Sequence, residues 1–182
     1  MKRLIIMFSG KGLNAMNIID DLEKDKYFVA CCITNNKDSD GIEFIKKRGV
    51  DVILIDNDDF NTREDFDAEL VKVIKSYDVD LVVLSGFMRI LTSVFTSSVR
   101  AINIHPSLLP KFKGMNAIER SYDSVNRTCG VTVHWINEDL DAGEIITQQS
   151  FVKRENESFL SFKKQIKKIE FRIFPNAIRK VI

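Results

Sequence analysis

Short apolar runs alternate with stretches of helical periodicity along this chain, and this alternation constrains the fold more than any other feature. Residues 4–8 and 81–84 are continuous apolar runs, as expected of strands that are buried on both faces of a parallel sheet. Between such runs lie segments whose apolar residues recur every three or four positions, which indicates amphipathic helices. The pattern predicts an α/β fold, with an open, mostly parallel, twisted sheet and helices on both faces in a Rossmann-like arrangement.

The individual elements can be placed from the same pattern. We expect strands at residues 4–8, 28–33, 52–55, 81–84, 101–104 and 131–136, with 145–151 as a hairpin partner of the last. Helices are expected from about residue 14, at 42–45, over 66–74 and from Ser158, and Pro175 should kink or end the last of them. Since no repeat, low-complexity segment or linker is visible, we expect a single domain over residues 1–182.

Charge and composition limit the partners. The 27 basic and 26 acidic residues nearly cancel, so no overall charge favours nucleic acid or an anionic membrane. The apolar run at the N-terminus is too short for a signal peptide, and no segment approaches the ~20 apolar residues that span a bilayer. The three cysteines have no metal-binding spacing. We therefore expect a cytoplasmic monomer or homodimer with small-molecule partners, no nucleic acid, no membrane and no metal.

A glycine-rich turn separates the first predicted strand from the first helix. Gly10 and Gly12 allow a tight turn that brings amide N–H groups close to an anion at the helix N-terminus. Together with Ala15 they also match the loose dinucleotide-binding pattern. That pattern needs an acidic residue at the end of the second strand, where residues 34–36 read Thr-Asn-Asn, so NAD is not expected. A monophosphate site is favoured over a turn without a ligand.

Asn103 and His105 stand at the carboxyl end of a predicted central strand, where ligands bind in open α/β sheets. Because the two residues are two positions apart on a strand, their side chains point to the same face of the sheet. When an amine attacks an acyl carbon, a carboxamide and an imidazolium can both donate to the oxyanion that forms. The imidazole can also move a proton near neutral pH.

Asp141 is the best candidate for a carboxylate that orients His105, raises its pKa and keeps it protonated. A structural alternative also exists for each histidine, because a buried imidazole is usually hydrogen-bonded to its surroundings whether or not it takes part in a reaction. For His134, which lies within a predicted strand, the structural interpretation is preferred.

Four motifs together resemble a known family. They are Ser9-Gly10-x-Gly12-x-Asn14, the run from Ser85 to Leu91, the run from Asn103 to Pro110, and Gly130 to His134 leading to Leu140-Asp141-Ala142-Gly143. In this order and at these separations they resemble the phosphoribosylglycinamide formyltransferases, the glycinamide ribonucleotide transformylases of purine synthesis. The likeness covers nearly the whole chain.

The resemblance implies transfer of the formyl group of 10-formyltetrahydrofolate to the amine of glycinamide ribonucleotide, without metal or NAD. It implies that Asn103 and His105 polarise the formyl group and that Asp141 tunes His105. Ribonucleotide contacts are implied for Gly12, Leu13, Asn14, Lys167 and Glu170. Folate contacts are implied for Arg63, Met88, Arg89, Ile90, Leu91, Asn103, Ile136, Asn137, Glu138, Asp139, Leu140 and Asp141.

Some positions depart from the family pattern. Leu13 replaces a small polar residue, which leaves only backbone contacts to a phosphate at that position. Residues 114–117 replace a stretch that often carries histidine, and the chain ends earlier than many relatives. Without the resemblance, Lys167 and Glu170 would be interpreted as a solvated ion pair on one face of a helix.

Other formyl-transfer enzymes share the Asn/His/Asp chemistry. A methionyl-tRNA formyltransferase is expected to need a further C-terminal domain, and a formyltetrahydrofolate hydrolase a further N-terminal one. Sugar-nucleotide formyltransferases are a third alternative, and the phosphate-binding turn favours a ribonucleotide over all three. A non-catalytic nucleotide-binding module of flavodoxin-like type is the alternative from another class. The joint presence of Asn103, His105 and Asp141 argues against it.

Overall fold

The computed structural model describes residues 1–22 and 25–182, and within them every predicted strand and helix is present, together with two short helices that the sequence pattern did not predict. The strands are β1 (Lys2–Phe8), β2 (Tyr27–Thr34), β3 (Val52–Leu54), β4 (Leu81–Leu84), β5 (Ala101–His105), β6 (Thr128–Trp135) and β7 (Ile145–Val152). The helices are α1 (Leu13–Leu22), α2 (Gly41–Lys46), α3 (Arg63–Ser76), α4 (Ser93–Thr96), α5 (Ala117–Asp123) and α6 (Phe159–Val181), with a 3-10 turn at Asn57–Asp59.

The strands form one sheet in the order β3-β2-β1-β4-β5-β6-β7. β1 pairs in parallel with β2 and β4, β2 with β3, and β4 with β5, whereas β6 and β7 form the predicted antiparallel hairpin. The predicted mostly parallel α/β sheet is therefore confirmed. The strand order reverses between β1 and β4, and ligands of open α/β sheets bind outside the carboxyl ends of the strands at such a point. The turn after β1 and the segment after β4 both lie at this edge.

The packing divides the chain into two compact units, residues 1–103 with Ile182, and residues 104–181. In the first unit the apolar run of β1 is fully buried, together with Ile18 and Leu22 of α1. In the second unit the alternate residues Val131 and Val133 of β6 are buried, as is the apolar stripe of α6. Both cores follow from the periodicities in the sequence. A single domain over the whole chain stays a prediction.

Pro175 does not end the last helix, so that part of the expectation is wrong. α6 continues through Pro175 to Val181. A proline inside a helix removes one backbone hydrogen bond, but apolar residues on both sides of it are buried, among them Phe174 and Ala177. Tertiary packing of this face stabilises the helix through the proline, because packing contributes more to helical stability in proteins than intrinsic propensity does.

No helix in the described part of the chain is long and apolar enough to cross a membrane. Over the same residues, no group of three or more histidine, cysteine or acidic side chains is placed to hold a metal ion. The cytoplasmic location stays a prediction.

Candidate active site

A buried cluster in the second unit contains His105, Asp141 and His134. His105 is the last residue of β5 and is 5% exposed, and its Nδ1 atom lies 3.2 Å from Oδ2 of Asp141. Nε2 of His134 lies 3.5 Å from the other carboxylate oxygen. Two imidazoles therefore contact one carboxylate, one at each of its oxygens.

The backbone around Asp141 is held by local contacts. Asp141 itself has a left-handed conformation (φ 50°), which aspartate tolerates better than most residues do. Gly143 lies so close to the carbonyl oxygen of Trp135 that a Cβ atom would be 1.8 Å from it, so only glycine fits there. The amide of Gly114 donates to Oδ2 of Asp141 at 2.8 Å. These contacts fix the carboxylate beside the end of β6.

His105 has a hydrogen-bond acceptor at each ring nitrogen, because its Nε2 lies 2.8 Å from the carbonyl oxygen of Phe112. Only the imidazolium could donate to both. Burial nevertheless lowers the pKa of His105, and it outweighs the opposite effects of the Asp141 carboxylate and the Phe112 carbonyl. Burial thus opposes the expected role of Asp141 in keeping His105 protonated, whereas the carboxylate itself acts in the expected direction.

The carboxyl group of Asp141 has a pKa below its ordinary value. Burial raises this pKa. The hydrogen bonds from His134 and from the amide of Gly114, together with the charges of the two histidines, lower it by more than burial raises it. Asp141 is thus a carboxylate at neutral pH, and it can stabilise a positive charge that forms on His105 during a reaction.

The lowered pKa of His105 predicts how stability depends on pH. Between this pKa and the ordinary value of 6.5 the unfolded chain binds more protons than the folded chain. The free energy of unfolding should therefore rise with pH through this window. Above pH 6.5 the histidine is neutral in both states, and its contribution no longer changes with pH. Urea unfolding of the wild type and of His105→Asn, at a series of pH values, would measure this. The variant should show a shallower dependence below about pH 6.5, and equal slopes would contradict the assignment.

The loop after His105 is fixed by polar contacts of β6 and β7. The hydroxyl of Thr132 donates to the carbonyl of Ser107 at 2.7 Å and accepts from the amide of Leu109 at 3.1 Å. Gln148 donates to both the Leu109 carbonyl and the Thr132 hydroxyl. These bonds keep the backbone that follows His105 in one conformation.

The glycine-rich turn lies in the first unit, before the first residue of α1. Gly12 has a left-handed conformation (φ 67°), and a Cβ atom there would be 3.3 Å from the Cα atom of Gly41. Ser39 and Asn36 donate side-chain hydrogen bonds to the carbonyls of Gly10 and Ser9. The first amides of a helix have no acceptor within the helix, so this end of α1 is suited to an anion.

The remaining candidate residues fall into separate places. Arg63 is the exposed first residue of α3, and Asn103 pairs in register with Leu84 at the end of β4. In the segment after β4, Met88 is 78% exposed and Ile90 is 55% exposed, whereas Arg89 and Leu91 are half-buried. In the second unit, residues 137–140 are exposed and Ile136 is half-buried.

Lys167 and Glu170 contact each other on α6 through Nζ and Oε2. Glu170 is 5% exposed, so the interpretation as a solvated ion pair is wrong for the glutamate. A buried carboxylate needs a compensating partner, and Lys167 supplies a positive charge to it.

His134 is the site residue that the sequence analysis assigned to a purely structural role. Its contact with Asp141 could have been suspected from the strand pattern. Thr132 and His134 occupy alternate positions of β6, and so share one face, whereas the buried Val131 and Val133 occupy the other. A polar face on a buried strand needs partners, and those partners belong to the loop after His105 and to Asp141.

A family model described as "Formyl transferase" matches residues 2–178. The chain belongs to the formyl transferase family. A solved structure of phosphoribosylglycinamide formyltransferase from Campylobacter jejuni is 45% identical and covers 99% of this chain and 97% of its own, with a TM-score of 0.96. One from Streptococcus pneumoniae is 28% identical, with 98% of both chains covered and a TM-score of 0.92. The family membership and the fold that the resemblance implied are thus confirmed.

Curated members of the formyl transferase family give the same result. The phosphoribosylglycinamide formyltransferase of Haemophilus influenzae is 32% identical over 183 residues, which are 98% of this chain and 86% of that protein. The trifunctional purine biosynthetic protein adenosine-3 of Bos taurus is 33% identical over 98% of this chain. This chain spans only 18% of that longer relative.

Proposed function

We propose that this chain transfers the formyl group of 10-formyltetrahydrofolate to the primary amine of glycinamide ribonucleotide, giving formylglycinamide ribonucleotide and tetrahydrofolate. The observation that carries the proposal is the buried contact between His105 and Asp141, at 3.2 Å, in a member of the formyl transferase family. A carboxylate beside a buried imidazole can supply the proton transfer and the charge stabilisation that acyl transfer to an amine uses.

The chemistry requires one bond to form and one to break at the formyl carbon. The amine nitrogen attacks this carbon, and the carbonyl oxygen becomes an oxyanion, to which the side chain of Asn103 donates. His105 donates to the same oxygen when its Nε2 exchanges the carbonyl of Phe112 for the substrate. Collapse of this intermediate breaks the bond to N10 of the folate. A proton from the attacking amine reaches N10, and His105 is the group that can carry it.

Asp141 makes this proton transfer possible despite the lowered pKa of His105. Burial favours the neutral imidazole in the ligand-free protein. When a proton arrives from the amine and negative charge develops on the formyl oxygen, the imidazolium gains a second anionic neighbour besides Asp141. The fixed carboxylate thus allows His105 to change charge within the reaction at little cost in reorganisation.

The two substrates are assigned to different groups of residues. The backbone at Gly12, Leu13 and Asn14 is proposed to bind the ribonucleotide phosphate. Lys167 and Glu170 are proposed to contact the same ribonucleotide. The folate contacts are proposed for Arg63, Met88, Arg89, Ile90 and Leu91, for Asn103, and for Ile136, Asn137, Glu138, Asp139, Leu140 and Asp141. The exposed apolar side chains Met88 and Ile90 support this, because a folate ring has large apolar faces to cover.

Lys167→Ala is expected to raise the KM for glycinamide ribonucleotide about tenfold and to leave the KM for 10-formyltetrahydrofolate unchanged. The lysine is assigned to the ribonucleotide, and it also compensates the buried Glu170. Steady-state kinetics with each substrate varied in turn would measure this. Lys164→Ala, an exposed lysine on the same helix, is the matched control. Equal rises in both KM values would contradict the assignment.

The proposed reaction is tested by absorbance, which follows the conversion of 10-formyltetrahydrofolate to tetrahydrofolate. We expect turnover only when glycinamide ribonucleotide is present. Methionyl-tRNA and an amino-sugar nucleotide serve as competing acceptors, and faster turnover with either would refute the proposal. Turnover without an acceptor would indicate a hydrolase, and tight folate binding without turnover would indicate a non-catalytic binding module. The size-exclusion profile of the same preparation tests the predicted monomer or homodimer.

A further inference from the structure

The segment proposed to contact the pterin has little regular structure to hold it. Residues 85–92, between β4 and α4, are neither helix nor strand. Met88 and Ile90 point their apolar side chains largely into solvent, so packing does not fix them. The shape of such a segment depends on the few polar contacts that its backbone makes.

Two groups of hydrogen bonds hold this segment, one near each end. The amide of Met88 donates to the hydroxyl oxygen of Ser9 at 2.7 Å. The amide and the hydroxyl of Thr92 both donate to Oδ2 of Asp67, at 2.5 and 2.8 Å. The backbone of residues 88–91 thus lies between two anchored positions, one on the turn after β1 and one on α3.

Phe66, the neighbour of Asp67 on α3, contacts the same segment. Its ring stacks on Phe87 with centroids 6.4 Å apart and planes 13° from parallel. The guanidinium carbon of Arg89 lies 5.2 Å from the centroid of the Phe66 ring, a cation–π contact. Two consecutive residues of α3 therefore hold the segment at positions 87, 89 and 92.

The burial of Asp67 is energetically unfavourable, which is unusual for a residue with a purely structural role. It is 1% exposed, and burial of a carboxylate is unfavourable unless strong hydrogen bonds compensate it. Burial raises its pKa, even though the hydrogen bonds from Thr92 and the charge of Arg89 act to lower it. Buried ionisable groups of this kind are concentrated at functional sites.

We propose that Asp67 is a positioning residue for the formyl donor. By accepting both hydrogen bonds from Thr92, it fixes residues 88–91 in the conformation that receives the pterin. The inference rests on the proposed function, since it concerns how that function's folate site is shaped. Asp67 acts through Thr92 and does not itself touch the substrate.

Thr92→Val and Thr96→Val form a matched pair that tests this. Both substitutions replace a hydroxyl by a methyl group of similar size. Thr92 donates its hydroxyl to Asp67, whereas the buried Oγ1 of Thr96 has no hydrogen-bond partner within the described residues. Thr92→Val should raise the KM for 10-formyltetrahydrofolate about threefold or more and leave the KM for the ribonucleotide unchanged. Thr96→Val should change neither. Equal effects of the two variants on the donor KM would overturn the proposal.

Two substitutions of Asp67 separate the hydrogen bonds from the charge. Asp67→Ala should raise the donor KM about tenfold or more, whereas Asp67→Asn, which keeps an oxygen acceptor for Thr92, should restore most of the affinity. Equal rises in both KM values for Asp67→Ala would assign Asp67 a merely structural role and overturn the proposal. Should Asp67→Ala not fold, the Thr92→Val result decides.

Calorimetric titration with tetrahydrofolate separates this inference from the proposed function. If the wild type binds tetrahydrofolate and Thr92→Val binds it more weakly, the result supports both the proposed function and the positioning role of Asp67. Wild-type chain that binds none would refute the proposed function, and the positioning role with it. Wild-type and Thr92→Val binding of equal strength would overturn the positioning role alone.

Discussion

His105→Ala is expected to lower kcat by about 10³-fold or more, because the variant loses both an oxyanion donor and the group that carries the proton. His105→Asn keeps a neutral N–H donor but cannot titrate, so its kcat should lie between those of the alanine variant and the wild type. The comparison thus divides the loss into a hydrogen-bonding part and a proton-transfer part. Single-turnover kinetics would measure the chemical step directly.

Binding provides the control for the His105 variants. His105 is assigned to the reaction and not to recognition of the folate ring, so both variants should bind tetrahydrofolate about as tightly as the wild type. Circular dichroism would verify that they fold. A kcat within a factor of about ten of the wild type for the alanine variant would remove His105 from its catalytic role.

Asp141→Asn is expected to lower kcat by about 10³-fold. The carboxamide is nearly isosteric with the carboxylate, but its NH₂ group can face Nδ1 of His105, which changes the favoured tautomer and removes a stabilising charge. Loss of the carboxylate also removes an interaction that raises the pKa of His105. The loss of activity should therefore be greatest where the wild-type imidazole is protonated, and the limb of the pH–rate profile assigned to His105 should move to lower pH.

Asp123→Asn is the matched control for Asp141→Asn, since Asp123 is an exposed carboxylate at the end of α5 in the same unit. It should leave both kcat and the pH–rate profile unchanged. A pH–rate profile for Asp141→Asn that coincides with the wild-type profile would show that Asp141 does not tune His105.

The sequence predicted the strands well because burial on both faces leaves a continuous apolar run that needs no tertiary information. β4 was predicted to the residue, and β7 within one residue of its end. The helices α4 and α5 were missed because their four and seven residues make only one or two turns, too few to show a periodicity. Pro175 was misjudged because local propensity opposes a helix there, while the packing of α6 that overrides it is a tertiary property.

The features of the candidate site also divide into those set by local geometry, which the sequence predicts, and those set by tertiary structure. The neighbouring positions Asn103 and His105 at a strand end could be predicted, since strand geometry fixes which face they share. Two other properties depend on tertiary structure and could not be predicted. Spacing indicated that Lys167 and Glu170 meet, but not that Glu170 is buried. The pairing of Asp67 with Thr92 joins positions in different elements, and no motif marks it.

The central claim is that the formyl group passes from the folate to the ribonucleotide amine, and isotopic labelling tests this most directly. 10-Formyltetrahydrofolate with a labelled formyl carbon is incubated with the chain and glycinamide ribonucleotide, and the products are identified by mass spectrometry. We predict that the label appears on the amide nitrogen of the ribonucleotide in an amount equal to the tetrahydrofolate formed. Label recovered as formate, whether or not the ribonucleotide is present, would contradict the account.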